Sequence, residues 1–423
     1  MNIKDKIPGY NTLVLPYHYL QSLAATTKAG FPGKRLRIIG VTGTNGKTTT
    51  SFMIWQMLNH AGYKTGLMTT VAWGVDKLEK QVEHMTTVKP STLNHRIKTI
   101  ANSGAEFLVL EVTSHALAQY RTLGLTFEIA VMTNVTHEHL DYHKTFDNYL
   151  NAKCKLFKQA KYGVVNADDP SAAHFIQALK SSNYTTYGIK SGLIQAKKIK
   201  LSAAGIDYSY CDVKNSKDTF PIHTKIPGEF NVYNSLAAAC VGKKLGLNNK
   251  QISEGLYSLA EVEGRMNRLD YGQEFDCIVD FAHTPDAFEK VFTSISKPKG
   301  RIISLFGGAG RRDESTRKTR GQIAGKYSDI CIITEDDSRD EDPNTIIADF
   351  AEGCKKAGMK DDQIIKITDR KKAIEHAIKI AKPKDIVLIL GKGHEKTIIR
   401  ADGPHPFEDL KVTANAIKRR SSK

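Results

Sequence analysis

The sequence predicts an α/β protein with two successive parallel-sheet domains, and three observations lead to this fold class. From about residue 36, short apolar runs alternate with segments of helical length. This alternation is typical of parallel strands covered by helices on both faces of a sheet. Shorter, more polar runs follow between residues 185 and 227, and a second apolar series begins after residue 263. We therefore expect a central parallel sheet with a small antiparallel subsheet, then a Rossmann-like C-terminal domain.

The elements divide the chain into three predicted segments. Residues 1–35 form a short leader with one helix in "YHYLQSLAATTKAGF", which ends at Pro32. Residues 36–263 form the central domain, with parallel strands in "RIIGVTG", "FLVLEV", "IAVMTNV" and "YGVVNA" and antiparallel strands in "TTYGIK", "GIDYSYCDV" and "DTFPIHTKIP". Residues 264–423 form the C-terminal domain, with strands in "FDCIVDFAH", "GRIISLFGG", "DICIITEDD", "QIIKITD" and "DIVLILGKG".

Composition restricts the class of protein. No apolar run approaches the roughly 20 residues that span a bilayer, and the N-terminus "MNIKDKIPGYN" lacks the apolar core of a signal peptide. Six cysteines without a C-x-x-C pair indicate reduced thiols, so we expect a cytoplasmic protein. The net charge of +16 favours anionic partners, but the chain has no zinc-finger or aromatic RNA-binding signature. We expect small anionic substrates, no nucleic acid and a monomer.

A glycine-rich turn, "VTGTNGKTTT" at residues 41–50, directly follows the first apolar strand. Glycines let several backbone N–H groups converge on one point, and the start of a helix adds partial positive charge there. Lys47 adds a full positive charge, and the Thr48 hydroxyl can bind Mg²⁺. The usual pattern has glycine six residues before the lysine, where this chain has Val41. We predict a phosphate loop that binds a nucleotide.

Two other sequence motifs contain possible metal ligands. Glu111 ends the strand "FLVLEV", and a carboxylate beside a phosphate loop is a suitable ligand for Mg²⁺. The word "NVTHEHLDYH" places His137, His139, Asp141 and His143 close to the pattern of binuclear zinc hydrolases. A binuclear metal hydrolase is therefore an alternative. The spacing disfavours it, with one residue too many before His143, and a zinc hydrolase has no use for a phosphate loop.

Nine separate sequence motifs occur in the order found in Mur ligases, and this resemblance covers residues 36–423. They are "GVTGTNGKTTT", "LEVTSHALAQYR", "TNVTHEHLDYH", "NAKCKLF", "VVNADDP", "FNVYNSLAAA", "VDFAHTPDA", "SRDEDP" and "GKGHE". The closest branch is that of the UDP-N-acetylmuramoyl-tripeptide synthetases, which add the third residue of the peptidoglycan stem peptide. The resemblance implies an ATP-dependent ligase that joins an amino acid to a muramoyl-dipeptide-type acceptor through an acyl-phosphate intermediate.

The resemblance also implies roles for individual residues. ATP would contact Gly43, Thr44, Asn45, Gly46, Lys47, Thr48, Thr49, Asn231, Asn234, Arg265, Asp280 and His283. Two Mg²⁺ ions would be held by Thr48, Glu111, His139 and Lys153, the lysine as a carbamate, and the last three with Lys47 would form the catalytic group. The acceptor would contact Thr86, Thr87, Thr113, Gln119 and Arg121, and the incoming amino acid Arg339, Gly391 and Glu395.

The chain departs from the family pattern in its leader. Family members usually carry a whole domain before the phosphate loop, which binds the uridine nucleotide. Thirty-five residues cannot bury a domain core, so we expect that domain to be truncated or absent. The uridine end would then be held weakly, or be held by a partner, or the acceptor would not be linked to UDP. A further hypothesis is that the basic, partly apolar leader contacts an anionic membrane surface.

A second departure lies in "EDDSRDEDP". The diaminopimelate-selective branch usually has Asp-Asn-Pro-Arg where this chain has Asp336-Asp337-Ser338-Arg339. The retained arginine can bind a distal carboxylate, which favours diaminopimelate over lysine.

Two more alternatives remain at the level of sequence. One is a related ligase with another carboxylate acceptor, such as an enzyme that adds glutamate to folate or builds a different cell-wall peptide. The other is a non-catalytic partner that binds nucleotide. The complete set of Lys47, Thr48, Glu111, His139 and Lys153 disfavours the non-catalytic partner.

Overall fold

A computed structural model describes residues 13–81, 83, 85–180, 182–202, 205–295, 299–312 and 314–421, with the backbone alone for Asp141 and Ser421. Residues 1–12 of the predicted leader and the side chain of Asp141 therefore lie outside the described part. No helix within these ranges is long and apolar enough to cross a membrane. The chain forms two compact units, which divide between Ala260 and Glu261, and residues 226–228 group with the second unit.

The first unit is built on one mixed sheet. Its helices, in order, are α1 (Leu15–Ala29), α2 (Lys47–His60), α3 (Pro90–Asn102), α4 (Ser114–Ala118), α5 (Leu140–His143), α6 (Phe146–Lys158), α7 (Ala172–Ala178), α8 (Glu229–Lys244) and α9 (Asn249–Ser258). Its strands are β1 (Arg37–Thr42), β2 (Thr65–Met68), β3 (Ala72–Gly74), β4 (Leu78–Lys80), β5 (Phe107–Glu111), β6 (Phe127–Met132), β7 (Ala160–Asn166), β8 (Tyr184–Gly188), β9 (Ile194–Ser202), β10 (Gly205–Asp212) and β11 (Thr219–Thr224).

The strand order is β11-β10-β9-β8-β7-β6-β1-β5-β2-β3-β4. Strand β1 lies between the parallel strands β5 and β6. Its residues Ile38, Ile39 and Val41 are fully buried, because helices cover both faces of a parallel sheet and leave its central strands no polar face. The ends of β1 and β5 lie side by side, with Val41 paired to Glu111, so the turn after β1 begins next to the carboxylate that ends β5.

The antiparallel prediction was correct for two of its three strands. Strands β10 and β11 pair antiparallel, and they continue the large sheet. The prediction for "TTYGIK" was wrong, since β8 pairs parallel with β7, Val164 against Thr185. The alternation of a strand tells which faces are buried, but pairing direction depends on the path that the chain takes to its neighbour.

The leader helix was predicted correctly, with a different end. Helix α1 ends at Ala29, and Gly30 closes it with φ 74°, in the left-handed conformation that glycine favours at helix ends. A 3-10 turn at Pro32–Arg35 then leads into β1.

The second unit contains a six-stranded sheet in the order β12-β13-β17-β14-β15-β16 and a hairpin of β18 and β19. Its strands are β12 (Asn267–Arg268), β13 (Asp276–Asp280), β14 (Ile302–Phe306), β15 (Ile330–Ile333), β16 (Ile364–Lys366), β17 (Ile386–Leu390), β18 (Thr397–Arg400) and β19 (Gly403–Pro406). Its helices are α10 (Pro285–Ser294), α11 (Arg317–Tyr327), α12 (Pro343–Lys356), α13 (Arg370–Ile380) and α14 (Asp409–Ser421). Strands β13 to β17 pair in parallel, so their carboxyl ends form the edge at which open sheets bind ligands.

Candidate active site

The predicted phosphate loop joins β1 to α2 and requires its glycines. Gly43 has φ 150°, and a Cβ there would lie 1.9 Å from the hydroxyl of Thr133. Gly46 has φ 84°, and a Cβ there would lie 2.3 Å from Oδ1 of Asn234. Lys47 opens α2, and its ammonium donates to the carbonyl of Thr44 at 2.8 Å. The loop therefore bends at the two places where a side chain has no room.

The departure at Val41 has a structural explanation. Val41 is still within β1 and is fully buried. The backbone first adopts a positive φ at Gly43, so the position that is glycine in the usual pattern is an ordinary core position here. Across the loop, the side-chain amide of Asn134 accepts from the Asn45 N–H at 2.9 Å and donates to its carbonyl at 3.0 Å.

Glu111 lies directly beside the start of α2. Its Oε2 accepts hydrogen bonds from the hydroxyl of Thr48 and from the N–H of Thr70, both at 3.0 Å. The hydroxyl of Thr70 also donates to it, and the glutamate is 2% exposed. The buried carboxylate and the Thr48 hydroxyl thus form a pair of hard oxygen donors of the type that Mg²⁺ prefers.

The five residues predicted to bind the acceptor form one hydrogen-bonded group with Glu111. Thr86 accepts from Thr70 at 2.8 Å, and Thr87 donates to the Glu111 carbonyl at 3.0 Å. The N–H of Thr113 donates to the Thr87 hydroxyl at 3.1 Å.

Arg121 completes this group. It donates to the Thr87 carbonyl at 2.5 Å and to Oε1 of Gln119 at 2.6 Å, while Gln119 donates to the hydroxyl of Tyr142 at 3.3 Å. Burial lowers the pKa of the Arg121 guanidinium.

The histidines of "THEHLDYH" contact different partners. His137 stacks on Phe146, and His143 lies 3.0 Å from the hydroxyl of Ser114. His139 has φ 56°, and its ring lies 4.7 Å from that of His115. Burial, and then the nearby His139 and His143, lower the pKa of His115 to about 2. Among the side chains that the structure describes, these histidines do not form a group of three metal ligands.

Lys153 is buried on α6 and points at the loop. Its Nζ donates to the Gly43 carbonyl at 2.6 Å and lies 4.6 Å from the centre of the Tyr149 ring. Burial, reinforced by the like charge of Lys47, holds the pKa of Lys153 well below its usual range, although Glu138 and Glu111 partly oppose this.

Glu138, which sequence analysis missed, connects two parts of this site. Its carboxylate lies 3.6 Å from Nε2 of His139 and accepts from the Tyr149 hydroxyl at 3.5 Å. That hydroxyl in turn lies 2.9 Å from the hydroxyl of Thr44 in the loop. The only sequence feature that could have marked Glu138 as a site residue is its position between His137 and His139, and the prediction considered only the histidines.

Asn231 and Asn234 lie behind the loop on α8. The amide of Asn234 donates to Oδ1 of Asn231 at 2.7 Å, and its own Oδ1 accepts from the Thr50 hydroxyl at 3.2 Å. Both are buried, as is Thr49 on the first turn of α2. These residues support the loop and its helix from below, and their contact with the adenine side of ATP stays a prediction.

In the second unit, three carboxylates surround one buried ammonium. Lys392 donates to Glu395 at 2.6 Å, to Asp337 at 2.8 Å and to Asp336 at 3.1 Å, and it has no exposed surface. Although burial opposes charge on Lys392, the carboxylates raise its pKa. Burial would likewise raise the pKa of Asp336, but the positive charges of Lys392 and Arg370 outweigh it and lower the pKa to about 2.

We call this group the carboxylate–lysine cluster (Asp336, Asp337, Lys392, Glu395). Of the three residues predicted to bind the amino acid, Glu395 belongs to it, and Gly391 and Arg339 lie nearby. Burial raises the pKa of Glu395. Gly391 has φ 116°, and a Cβ there would lie 3.1 Å from Oδ2 of Asp336. Arg339 donates to the Gly310 carbonyl at 3.0 Å. Burial, and then the like charge of Arg312, lower the pKa of Arg339.

Arg265, Asp280 and His283 also lie together in the second unit. Asp280 ends β13 and accepts from the N–H groups of Met266 at 2.8 Å and Ala282 at 2.7 Å. Burial raises the pKa of Asp280, against the opposing charge of Arg265. The guanidinium of Arg265 lies over the Phe281 ring at 4.6 Å, and Nδ1 of His283 lies 2.9 Å from the Phe281 carbonyl.

Comparison with known proteins agrees with these two units. Residues 41–242 match the Mur ligase middle domain, and residues 264–393 match the domain described as Mur ligase, glutamate ligase domain. The UDP-N-acetylmuramoyl-L-alanyl-D-glutamate–2,6-diaminopimelate ligase of Syntrophomonas wolfei is 38% identical over 404 residues, which are 94% of this chain and 81% of that protein. The chain belongs to the Mur ligase family. Members of this family are ATP-dependent amide ligases, so the alternative of a metal hydrolase is set aside.

Two further Mur ligases extend this comparison. The UDP-N-acetylmuramyl-tripeptide synthetase of a Roseiflexus species is 38% identical over 409 residues, 92% of this chain and 80% of that protein. A solved UDP-N-acetylmuramoyl-L-alanyl-D-glutamate–2,6-diaminopimelate ligase is 31% identical with a TM-score of 0.63, and the match covers 91% of this chain and 79% of that one. Both are ligases of the predicted branch.

Proposed function

We propose that this Mur ligase adds diaminopimelate, as the third residue of a stem peptide, to a muramoyl-dipeptide acceptor. The observation that carries the proposal is the continuous hydrogen-bonded group that joins Thr48, Glu111 and the predicted acceptor residues Thr86 and Thr87. Through it, the phosphate loop and the acceptor residues share one buried carboxylate. Such an arrangement suits a reaction in which a phosphoryl group passes to a substrate carboxylate.

In this proposal the loop residues 43–49 bind the phosphates of ATP. Lys47 and the N-terminus of α2 offset the repulsion between two anions that must approach each other. Asn231 and Asn234 of the same unit bind the remaining parts of the nucleotide, as the family resemblance implies, and the roles of Arg265, Asp280 and His283 stay predictions of that resemblance. Arg121 holds an anionic group of the acceptor, since its guanidinium is partly buried and the hydrogen bonds described for it go to neutral acceptors.

The donor set at Glu111 fits Mg²⁺. Glu111 and Thr48 offer two hard oxygens within hydrogen-bond distance of each other, and His139 together with a carbamate on Lys153 would hold a second ion. When bound, Mg²⁺ neutralises charge on the phosphates that are transferred. Glu138 keeps the imidazole of His139 oriented by its carboxylate at 3.6 Å.

Lys153 is suited to carbamate formation because burial and the like charge of Lys47 lower its pKa, which favours the neutral amine that this reaction requires. The lone pair of a neutral amine adds to CO₂, the new N–C bond gives a carbamate, and the displaced proton passes to water. The product carries oxygen atoms in place of an ammonium, which turns a hydrogen-bond donor into a metal ligand.

The carboxylate–lysine cluster and Arg339 select the amino acid. The cluster has three carboxylates for one lysine, and Arg339 lies half-buried nearby. This combination suits a side chain that ends in both an ammonium and a carboxylate, as diaminopimelate does and lysine does not. Relatives from the same branch are named for diaminopimelate, which supports the same choice.

The test is product formation from defined substrates. The purified chain is incubated with ATP, Mg²⁺, one amino acid (diaminopimelate, lysine or glutamate) and one acceptor (UDP-linked muramoyl dipeptide, the UDP-free form, or folate), and products are identified by mass spectrometry. We expect a diaminopimelate adduct of a muramoyl dipeptide. A clear preference for lysine would contradict the amino-acid assignment, and a glutamyl-folate product would contradict the acceptor class.

A matched pair of variants controls this assay. Lys47→Ala should abolish ATP-dependent product, because the loop loses its full positive charge. Lys217→Ala removes an exposed lysine of the same unit and should leave turnover unchanged. Near-normal turnover by Lys47→Ala would refute the proposed site.

A further inference from the structure

Helix α1 exposes an apolar face. Among the described residues, nine large hydrophobic side chains are exposed, and five of them lie within the first eleven of these residues. They are Leu13 (68%), Tyr17 (62%), Tyr19 (42%), Leu20 (63%) and Leu23 (38%). Large apolar patches on soluble monomers are uncommon and usually mark an interaction site. The Tyr19 ring packs edge-on against Tyr120, with the ring centres 5.5 Å apart, so we call Leu13, Tyr17 and Leu20 the α1 apolar face.

Helix α1 buries polar residues and exposes apolar ones, which is the reverse of an ordinary surface helix. Its buried positions are the polar residues Ser22 and Thr26. The Thr26 hydroxyl donates to the Leu123 carbonyl at 3.1 Å and accepts from Asn94 at 3.1 Å. Polar contacts thus fix the helix to its unit, and the face with Leu13, Tyr17 and Leu20, spaced at i, i+4 and i+7, is turned to solvent. The exposed face is therefore not one that the unit needs for its own core.

The segment that contains this face carries charges of one sign. Residues 13–37 contain Lys28, Lys34, Arg35 and Arg37 and no aspartate or glutamate. Lys28, Lys34 and Arg35 are exposed, whereas Arg37 lies 3.5 Å from the carboxylates of Glu106 and Glu128, and the whole chain carries a net charge of +16. Two copies of this segment brought together would bring like charges together. This charge disfavours a second copy of the chain as the occupant of the face. It favours a partner surface that has an apolar layer beneath an anionic outer layer.

We propose that the α1 apolar face docks on an anionic lipid bilayer. Leucine and tyrosine side chains on one side of the helix enter the interfacial layer, and the lysines and arginines that follow the helix contact lipid headgroups. Amphipathic helices with tyrosine, leucine and flanking cations bind at this depth. Docking would place the ligase at a membrane surface, and this proposal does not depend on which acceptor the ligase uses.

The experiment measures co-sedimentation of the full chain with lipid vesicles. Vesicles of phosphatidylcholine mixed with phosphatidylglycerol are compared with vesicles of phosphatidylcholine alone. We expect binding to the mixed vesicles that weakens with added salt, because exposed charges are screened. A wild-type chain that stays in the supernatant with the anionic vesicles would overturn the proposal.

Paired double variants locate the contact. Tyr17→Ser with Leu20→Ser should lower the partition coefficient by more than about tenfold, from the apolar surface removed. Val213→Ser with Tyr257→Ser changes an equally exposed pair (59% and 52%) and should bind as wild type does. Thermal unfolding of each variant shows that it is folded. Equal binding by the Tyr17/Leu20 variant would overturn the proposal.

A charge variant and a measurement of mass complete the test. Lys28→Glu with Lys34→Glu should weaken binding to anionic vesicles while leaving the fold intact, and unchanged binding would count against the lipid assignment. Light scattering without vesicles gives the mass of the chain. A dimer that the Tyr17/Leu20 variant abolishes would assign the face to a second copy and overturn the proposal.

Discussion

Among the described residues, each of the two units contains one buried lysine, and the surroundings shift the pKa values of these two lysines in opposite directions. Lys153 in the first unit donates to a single backbone carbonyl, and burial, followed by the like charge of Lys47, lowers its pKa. Lys392 in the second unit donates to three carboxylates, which raise its pKa. Burial penalises the charge in both places, and only in the second unit do neighbours outweigh that penalty.

We propose that this difference separates a lysine that reacts with CO₂ from a structural one. A neutral amine can form a covalent bond with CO₂, whereas an ammonium held by carboxylates cannot. Lys392 instead ties the loop at Asp336 and Asp337 to the turn at Glu395, and so positions residues that we assign to amino-acid binding. The two sites therefore predict opposite responses when the lysine is removed.

The largest expected effect is on stability, for Lys392→Met. Two buried carboxylates, Asp336 and Asp337, and the partly buried Glu395 would lose their shared cation. Breaking a buried ion pair by removing one partner costs about 3–5 kcal/mol of unfolding free energy. Urea unfolding measures the change, and Lys371→Met on the exposed surface of α13 serves as the control. A loss no greater than that of the control would contradict the structural role.

The next effect is on rate, for Lys153→Met. Removing a neutral amine leaves no unpaired buried charge, so the unfolding free energy should change little. Without the carbamate oxygens, turnover should fall on the order of 10²–10³, as for loss of one electrostatic contact in an active site. Lys153→Arg introduces a guanidinium that cannot form a carbamate and should be equally inactive. A stable, active Lys153→Met chain would remove the distinction between the two lysines.

A smaller effect concerns pH. In the wild-type protein the pKa of Asp336 is about 2, below its ordinary value of 3.8, so its contribution to stability is present above about pH 4 and is lost as the pH falls toward 2. In Lys392→Met the carboxylates titrate higher. The stability gap between variant and wild type should narrow as the pH is lowered from about 7 to about 5, by up to about 1.4 kcal/mol per unit for each proton bound. A constant gap would show that the cluster is not the cause.

The smallest effect tests whether one unit is simply more fragile. Thr145 caps α6, which carries Lys153, and Asp369 caps α13 in the second unit, each through a side chain that accepts a backbone N–H. Replacing either with alanine should cost about 1 kcal/mol. Similar losses by thermal unfolding would support attributing the larger differences to the lysines. A much larger loss for one cap would weaken that conclusion.

The sequence was sufficient for features that depend on local order. The strand, the glycine turn and Lys47 predicted the loop, the position of Glu111 at the end of a strand made it a candidate ligand, and the resemblance supplied Lys153. The structure placed both against the loop, through Thr48 and through the Gly43 carbonyl. The replacement of glycine by Val41 looked like a defect, yet the strand simply continues through that position.

Features that depend on distant contacts were not predictable in this way. Thr70 and Glu138 connect the site through hydrogen bonds to residues 41 and 11 positions away. The four members of the carboxylate–lysine cluster come from two separate sequence motifs, and only the pairing of the strands brings these two motifs together. The inverted face of α1 was equally hidden, because the pattern gives an apolar stripe but not the side of the helix that the unit covers.

The most direct test of the contrast is ¹³C NMR of the chain in ¹³C-bicarbonate, compared with Lys153→Met and Lys392→Met. We predict a carbamate resonance in the wild-type protein that persists in a folded Lys392→Met chain and is absent from Lys153→Met. A spectrum without a carbamate resonance, or one whose resonance survives in Lys153→Met, would contradict the claim that the first unit holds a neutral, reactive lysine.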